Sequence, residues 1–278
     1  LLPSAGTEHC VASPFAAAFP TVEPGDETQG RPARRRRAIY LLPNLLTTGA
    51  LFSGFYSIIA SIHGNFEYSV YAMFAAMGLD AVDGRVARMT STASEFGKEF
   101  DSLSDMVAFG LTPAVVTYQW GVTRLAEYGE VWGRLGWLAA FLYVAAAAFR
   151  LARFNSNNSW TDRRYFQGLA SPAAAACVAS TVWVSTAYGI DGLNALVPGI
   201  AITALAAVLM MSRFRYLSFK DVKPGHRLRY GRLMLIPLVI GIIYVEPPLN
   251  TFILACTYAA SGPALWAWRR VRRVSVTP

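Results

Sequence analysis

The 278-residue chain is 54% hydrophobic and only 15% charged, with 25 Lys and Arg against 17 Asp and Glu and a formal net charge of +8. A soluble domain carries nearer ~25% charged residues. A mean hydropathy of +0.35, with recurring apolar runs of about the ~20 residues that cross a bilayer, excludes an ordinary soluble globule.

Residues 1–38 read as a disordered, basic cytoplasmic tail, rich in Pro, Gly, Ala, Thr and Ser. Pro14, Pro20 and Pro24 interrupt its one candidate apolar stretch, so no cleavable signal peptide is expected. The chain opens on Leu1 and not on methionine, which fits a fragment or an unusual start. The run "RPARRRR", Arg31 to Arg37, reads as an orientation signal resting on anionic lipid heads, and nucleic acid is not needed to explain it.

Hydrophobic segments follow at 39–62, 66–88, 101–120, 133–153, 169–189, 192–211, 232–245 and 250–268. They predict an all-α polytopic membrane protein of about eight transmembrane helices, with a basic loop at 212–231 and a basic tail at 269–278. With the N-terminus inside, the inner segments are 1–38, 89–100, 154–168, 212–231 and the tail. Of the 25 basic residues, only Arg124 and Arg134 fall outside these segments and the helix ends that adjoin them. The positive-inside rule expects such a bias, so both termini are assigned to the cytoplasm.

The stretch "LDAVDGRVARMTSTASEFGKEFDSLSDMVAFG", Leu79 to Gly110, sets four aspartates into this apolar background. At 100° per residue, Asp80, Asp83, Gly84 and Ala87 share one helix face, and Asp101 and Asp105 share another. The link between the two segments is short, so both carboxylate pairs can point into one cavity at cytoplasmic depth. Solvated interfacial acids paired with Arg85, Arg88 and Lys98 would account for one or two of them. Four on converging faces repel strongly at low dielectric, and intramembrane acids usually mark function. Divalent cations relieve that repulsion, and all-oxygen coordination without His or Cys points to Mg²⁺ or Mn²⁺. Gly84 and Gly97 remove side chains beside the acids, and Arg88 can present its guanidinium fork to a phosphate. These features describe a diphosphate site, in which two metal ions would stabilise the attacking and leaving oxygens of a phosphoryl displacement.

The spacing Asp80-x2-Asp83-Gly84-x2-Ala87-Arg88-x8-Gly97-x3-Asp101-x3-Asp105 resembles the signature of the CDP-alcohol phosphotransferases at every fixed position. The resemblance implies a six-helix catalytic core over 39–211, with two additional helices in 212–268. It implies that Asp80, Asp83 and Asp101 bind a metal pair, and that Asp105 adds a metal contact and acts as base on the acceptor hydroxyl. Gly84 and Arg88 would hold the CDP moiety beside Gly97. Upstream, "LPNLLTTG" resembles the Pro-Asn-x-x-Thr start of the family's first helix, implying that Asn44 and Thr47 line the nucleotide–diphosphate site. Pro43-Asn44 also reads as a helix start or kink. Ser94 reads either as a nucleotide contact or as a loop cap.

The acceptor is read from further stretches. "FDSLSDMVAFGLTPAVV", "FRLARFN" and "FQGLASPAAAA" resemble the phosphatidylserine synthase branch of the family, with Ala170 standing where that branch usually has proline. The implied substrates are CDP-diacylglycerol and L-serine, and the implied products are phosphatidylserine and CMP. Arg150 and Arg153, one turn apart, could hold the serine carboxylate or could anchor the helix end. The family further suggests a homodimer, in contact with membrane lipids, in a bacterial inner membrane with its active site facing the cytoplasm. Two alternatives remain: the same chemistry on glycerol 3-phosphate or an inositol phosphate, and a divalent-cation transporter. A transporter should carry acids at several depths, whereas the other apolar segments hold almost none.

The three cysteines and three histidines, Cys10, Cys177, Cys256, His9, His63 and His226, share no metal or redox spacing. Neither a disulfide framework nor a histidine-based centre is expected.

Overall fold

Inside lipid every backbone N–H and C=O must be satisfied within the protein, and a long apolar run does this as a helix. The computed structural model describes residues 33–90, 94–122, 124, 129–156, 165–190, 193–217, 237, 241 and 243–274. Each expected apolar segment is helical over most of its described residues, and most of 232–245 lies outside the described residues. Helices α1 (Ala33–Ile62) and α2 (Phe66–Thr90) are followed by α3 (Glu95–Asp105), which continues through a π-helical stretch, Met106–Leu111, into α4 (Thr112–Thr117) and a second π stretch, Tyr118–Val122. Then come α5 (Glu130–Ser156), α6 (Ser171–Ala187), α7 (Leu193–Met211) and α8 (Pro247–Val274). Among the described residues three stretches, Leu42–Ile62, Glu130–Ser156 and Asn194–Met211, are long and apolar enough on length and composition to cross a membrane. The chain is an all-α membrane protein.

Two sequence boundaries move. α1 begins at Ala33, so Arg34 to Arg37 lie on a helix and not in the expected tail, and α8 runs to Val274 through four arginines expected in the C-terminal tail. Arginine is a good helix former and its long stem tolerates the helix end near the bilayer surface. Residues 1–32 and 275–278 lie outside the described residues. The loop expected at 154–168 also contains a three-residue strand, β1 (Tyr165–Gln167), antiparallel to β2 (Arg215–Leu217) with Phe166 opposite Tyr216.

Small residues let the helices approach closely, the usual device where lipid removes the hydrophobic drive between helices. Ala174, Ala175 and Ala179 of α6 are fully buried. Gly54 of α1 faces Ala108, whose Cα would stand 3.0 Å from an added Cβ, and Gly110 faces Ala147 of α5. Ser57 and Ser69 tie α1 to α2 with hydroxyl oxygens 2.8 Å apart. Large apolar side chains point the other way: Leu45, Phe52, Val131 and Val208 are among those exposed. Apolar exposure on this scale is what a lipid-facing surface requires.

The last helix is fastened to the core through β2. Tyr216 is fully buried, donates its hydroxyl to Ala259 O at 2.9 Å, and faces Gly262. Phe214 meets Trp266 edge-on at 5.6 Å, and Cys177 of α6 donates to Ala255 O at 3.3 Å. Cys177 is buried as a small core group, and Cys256 is half-buried.

Candidate active site

The interior of α1, the last turns of α2 and the short helix α3 carry the site. Pro43 lies within α1 and is buried, so the Pro-Asn pair does not start the helix; α1 is already under way. Asp80 and Asp83 sit on the last turns of α2, and Asp101 and Asp105 close α3. Ser94 starts α3 as its N-cap, its Oγ accepting from Gly97 N at 3.0 Å. This is the capping interaction expected of serine before a helix.

Carboxylate oxygens of Asp80, Asp101 and Asp105 lie within 4.8 Å of one another, and all three residues are half-buried. Asp83 departs from the expected set of four. It is buried, and its Oδ2 accepts a 2.9 Å hydrogen bond from Thr47 Oγ1 on α1, though it remains within electrostatic reach of Asp80 and Asp101. The reason is helical phase: three residues advance a side chain by about 300°, so Asp83 is turned some 60° from Asp80 toward α1. A cluster of hard oxygen donors without nitrogen or sulfur suits Mg²⁺ or Mn²⁺, so the residues fit a divalent cation.

The remaining expected residues surround this cluster unevenly. Gly97 faces Asn44, whose Oδ1 would lie 3.3 Å from a Cβ added there, so α3 approaches α1 closely beside the acids. Gly84 is half-buried next to Asp83. Arg88 lies on α2, but its side chain is outside the described residues. Arg150 reaches in from α5: its Nη1 donates to Ser171 Oγ at 2.5 Å, and it is within electrostatic reach of Asp105. Its Nε is buried with no hydrogen-bond partner among the described residues, an unusual and costly state for a guanidinium donor. Arg153, one turn on, is half-buried.

Sequence reading missed three participants. Ser171 opens α6 and fixes Arg150; a Ser-Pro pair after a loop is a helix-start signal that could have marked it. Ser104, fully enclosed, donates to Thr47 O at 3.2 Å. Asn155 Nδ2 donates to Ser102 Oγ at 3.0 Å and ties α5 to α3. Nothing in the spacing of Ser102, Ser104 or Asn155 announces these bonds.

Residues 40–211 match the family described as CDP-alcohol phosphatidyltransferase. A Helicobacter pylori protein named CDP-diacylglycerol–serine O-phosphatidyltransferase is 35% identical over 234 residues, covering 84% of this chain and 94% of that protein. A Bacillus subtilis protein of the same name is 29% identical over 179 residues, 64% of this chain and 91% of its own. An archaetidylserine synthase from Methanothermobacter thermautotrophicus is 32% identical over 177 residues, 63% of this chain and 69% of its own. With a family match spanning most of the helices and every position of the aspartate motif in place, the chain belongs to the CDP-alcohol phosphatidyltransferase family.

Proposed function

We propose that this protein transfers the phosphatidyl group of CDP-diacylglycerol to the hydroxyl of L-serine, giving phosphatidylserine and CMP. The observation that carries the reading is the convergence of Asp80, Asp101 and Asp105 at one cluster beside the half-buried Arg150. The names of the relatives, both bacterial and archaeal, support serine as the acceptor.

The family uses divalent metals, and Asp80, Asp83, Asp101 and Asp105 would hold two ions, Mg²⁺ or Mn²⁺. Bound there, the metals would neutralise the diphosphate and the charge that develops on departing CMP. Asn44, Gly84 and Gly97 form the bare wall along which the nucleotide–diphosphate lies, with Ser94 fixing the turn that presents Gly97. Arg88, on the turn after Gly84, holds a diphosphate oxygen. Arg150, preset by Ser171 and carrying an unpaired Nε, receives the serine carboxylate, with Arg153 beside it. Asp105 accepts the proton of the serine hydroxyl. The serine oxygen then bonds to the phosphorus bearing diacylglycerol, and the bond from that phosphorus to the bridging oxygen breaks. The electron pair of the broken bond leaves with CMP.

Residues 39–211 form the catalytic core, and 212–268 supply the added helices. The acyl chains stay in the bilayer while the head group reacts at the cytoplasmic face of a bacterial inner membrane. The protein acts as a homodimer among membrane lipids.

Purified protein in mixed micelles tests the reading. CMP release from CDP-diacylglycerol should depend on L-serine and yield phosphatidylserine, stop with EDTA, and return with Mg²⁺ or Mn²⁺. Release driven by glycerol 3-phosphate or an inositol phosphate but not by serine would move the acceptor and keep the chemistry. Full turnover after thorough chelation would rule out the mechanism.

A further inference from the structure

Thr47 was expected to line the nucleotide, but its surroundings assign it other work. It is 5% exposed, and Asp83 is 4% exposed, so the bond between them is shielded from water. The hydroxyl carries one proton and has two acceptors in range, Asp83 Oδ2 at 2.9 Å and Pro43 O at 3.0 Å. The Pro43 carbonyl sits four residues back in the same helix, where the backbone N–H of Thr47 already serves it. A carboxylate is the stronger acceptor, so the proton belongs to Asp83. On its other side, the Thr47 carbonyl accepts from Ser104 Oγ at 3.2 Å. Ser104 lies between Asp101 and Asp105 on α3, so the two acid-bearing helices are brought to register on a single residue of α1.

We propose that Thr47 is a positioning residue, fixing the Asp83 carboxylate and the α2–α3 spacing so that the aspartates meet a divalent cation with their oxygens already placed. The inference rests on the proposed metal-dependent reaction and deepens it. Thr47 acts through Asp83 and does not touch the nucleotide, a role left to Asn44 one turn earlier, which is half-buried. Partners that orient metal-binding carboxylates typically set metal affinity by ~10–100-fold.

The test is Mn²⁺ binding to detergent-purified protein without substrate, read from the electron paramagnetic resonance signal of free Mn²⁺. Thr47→Val keeps the shape and removes the proton; it should weaken Mn²⁺ binding by ~10–100-fold, while Thr47→Ser restores it. At saturating Mn²⁺ the KM for CDP-diacylglycerol should stay within about twofold of wild type, below the ~10-fold that loss of a direct contact worth ~1.4 kcal/mol would give. Unchanged Mn²⁺ affinity in Thr47→Val overturns the proposal, as does a raised KM at saturating metal or failure of Thr47→Ser to rescue. Should Thr47→Val not be recovered folded, Ser104→Ala decides: a weakening in the same direction supports the proposal, and unchanged affinity overturns it. Mn²⁺ binding that responds to Thr47 in a protein showing no serine-dependent CMP release would sink the proposed reaction and leave this inference standing.

Discussion

The proposed base, Asp105, belongs to the acid cluster and lies within electrostatic reach of the half-buried Arg150. Its oxygens stand within 4.8 Å of those of Asp80 and Asp101, and Arg150 faces it from α5. Asp105→Asn keeps the shape of the side chain but cannot accept the serine proton. Turnover in serine-dependent CMP release should fall by ~10²–10⁴-fold, the usual contribution of a general base, with a much smaller change in the KM for CDP-diacylglycerol. A variant within about tenfold of wild-type turnover would remove Asp105 from that role. Arg150 and Thr47 illustrate opposite uses of burial. Among the described residues the first has a buried Nε without a hydrogen-bond partner, whereas the second bonds Asp83 through its hydroxyl.

At the scale of elements, the site depends on helices that depart from regular form and on a turn that only glycine fits. After Asp105 the helix widens into the π stretch Met106–Leu111, and Thr112 Oγ1 donates to the Val107 carbonyl at 2.8 Å within it. Such π turns occur frequently beside functional sites, where they re-aim the residues that follow. Gly168 links β1 to α6 at φ +80°, its N–H donating to Phe214 O at 2.9 Å. A Cβ there would run into the Met210 carbonyl. Gly168→Ala should therefore destabilise the protein by ~1–3 kcal/mol from backbone strain alone, read as a lower unfolding midpoint in detergent. The same midpoint as wild type would show that the β1–β2 clasp gives way without cost. Because Leu169, Ala170 and Ser171 follow directly, loosening this turn should also free the Arg150 partner.

For the whole molecule, we propose an orientation from the charge distribution along the sequence. In the sequence, basic residues gather around the α2–α3 end that carries the aspartates, at the end of α5 and along 212–231. Single cysteines replacing Glu127 and Arg163, in a background lacking the native cysteines, should be labelled from opposite faces of sealed vesicles, with position 163 reached from the cytoplasmic side. Labelling both from one side would overturn the eight-helix topology with cytoplasmic termini. The lipid-facing apolar surface and the alanine-rich interior divide along each helix, so orientation and packing are set by different residues of one segment.

The sequence by itself determined the class of the protein and the aspartate motif of its family. Apolar runs of bilayer length allow one backbone solution, and the Asp80–Asp105 spacing brings Asp80, Asp101 and Asp105 together once two helices are joined by a short link. Boundaries at 39–62 and 250–268 were legible to within several residues, because hydropathy marks where lipid ends but not where an arginine-bearing helix stops. The tertiary structure decided what no local period encodes. It turned Asp83 onto Thr47, seated Ser104 on the Thr47 carbonyl, and paired Arg150 with Ser171. These contacts join residues 21 to 57 positions apart, across helices whose relative rotation is set by close packing of Gly54, Ala108 and Gly110 and by a π stretch that breaks the 3.6-residue period. A helical-wheel reading assumes that period throughout, so the partners of the acids lay beyond its reach.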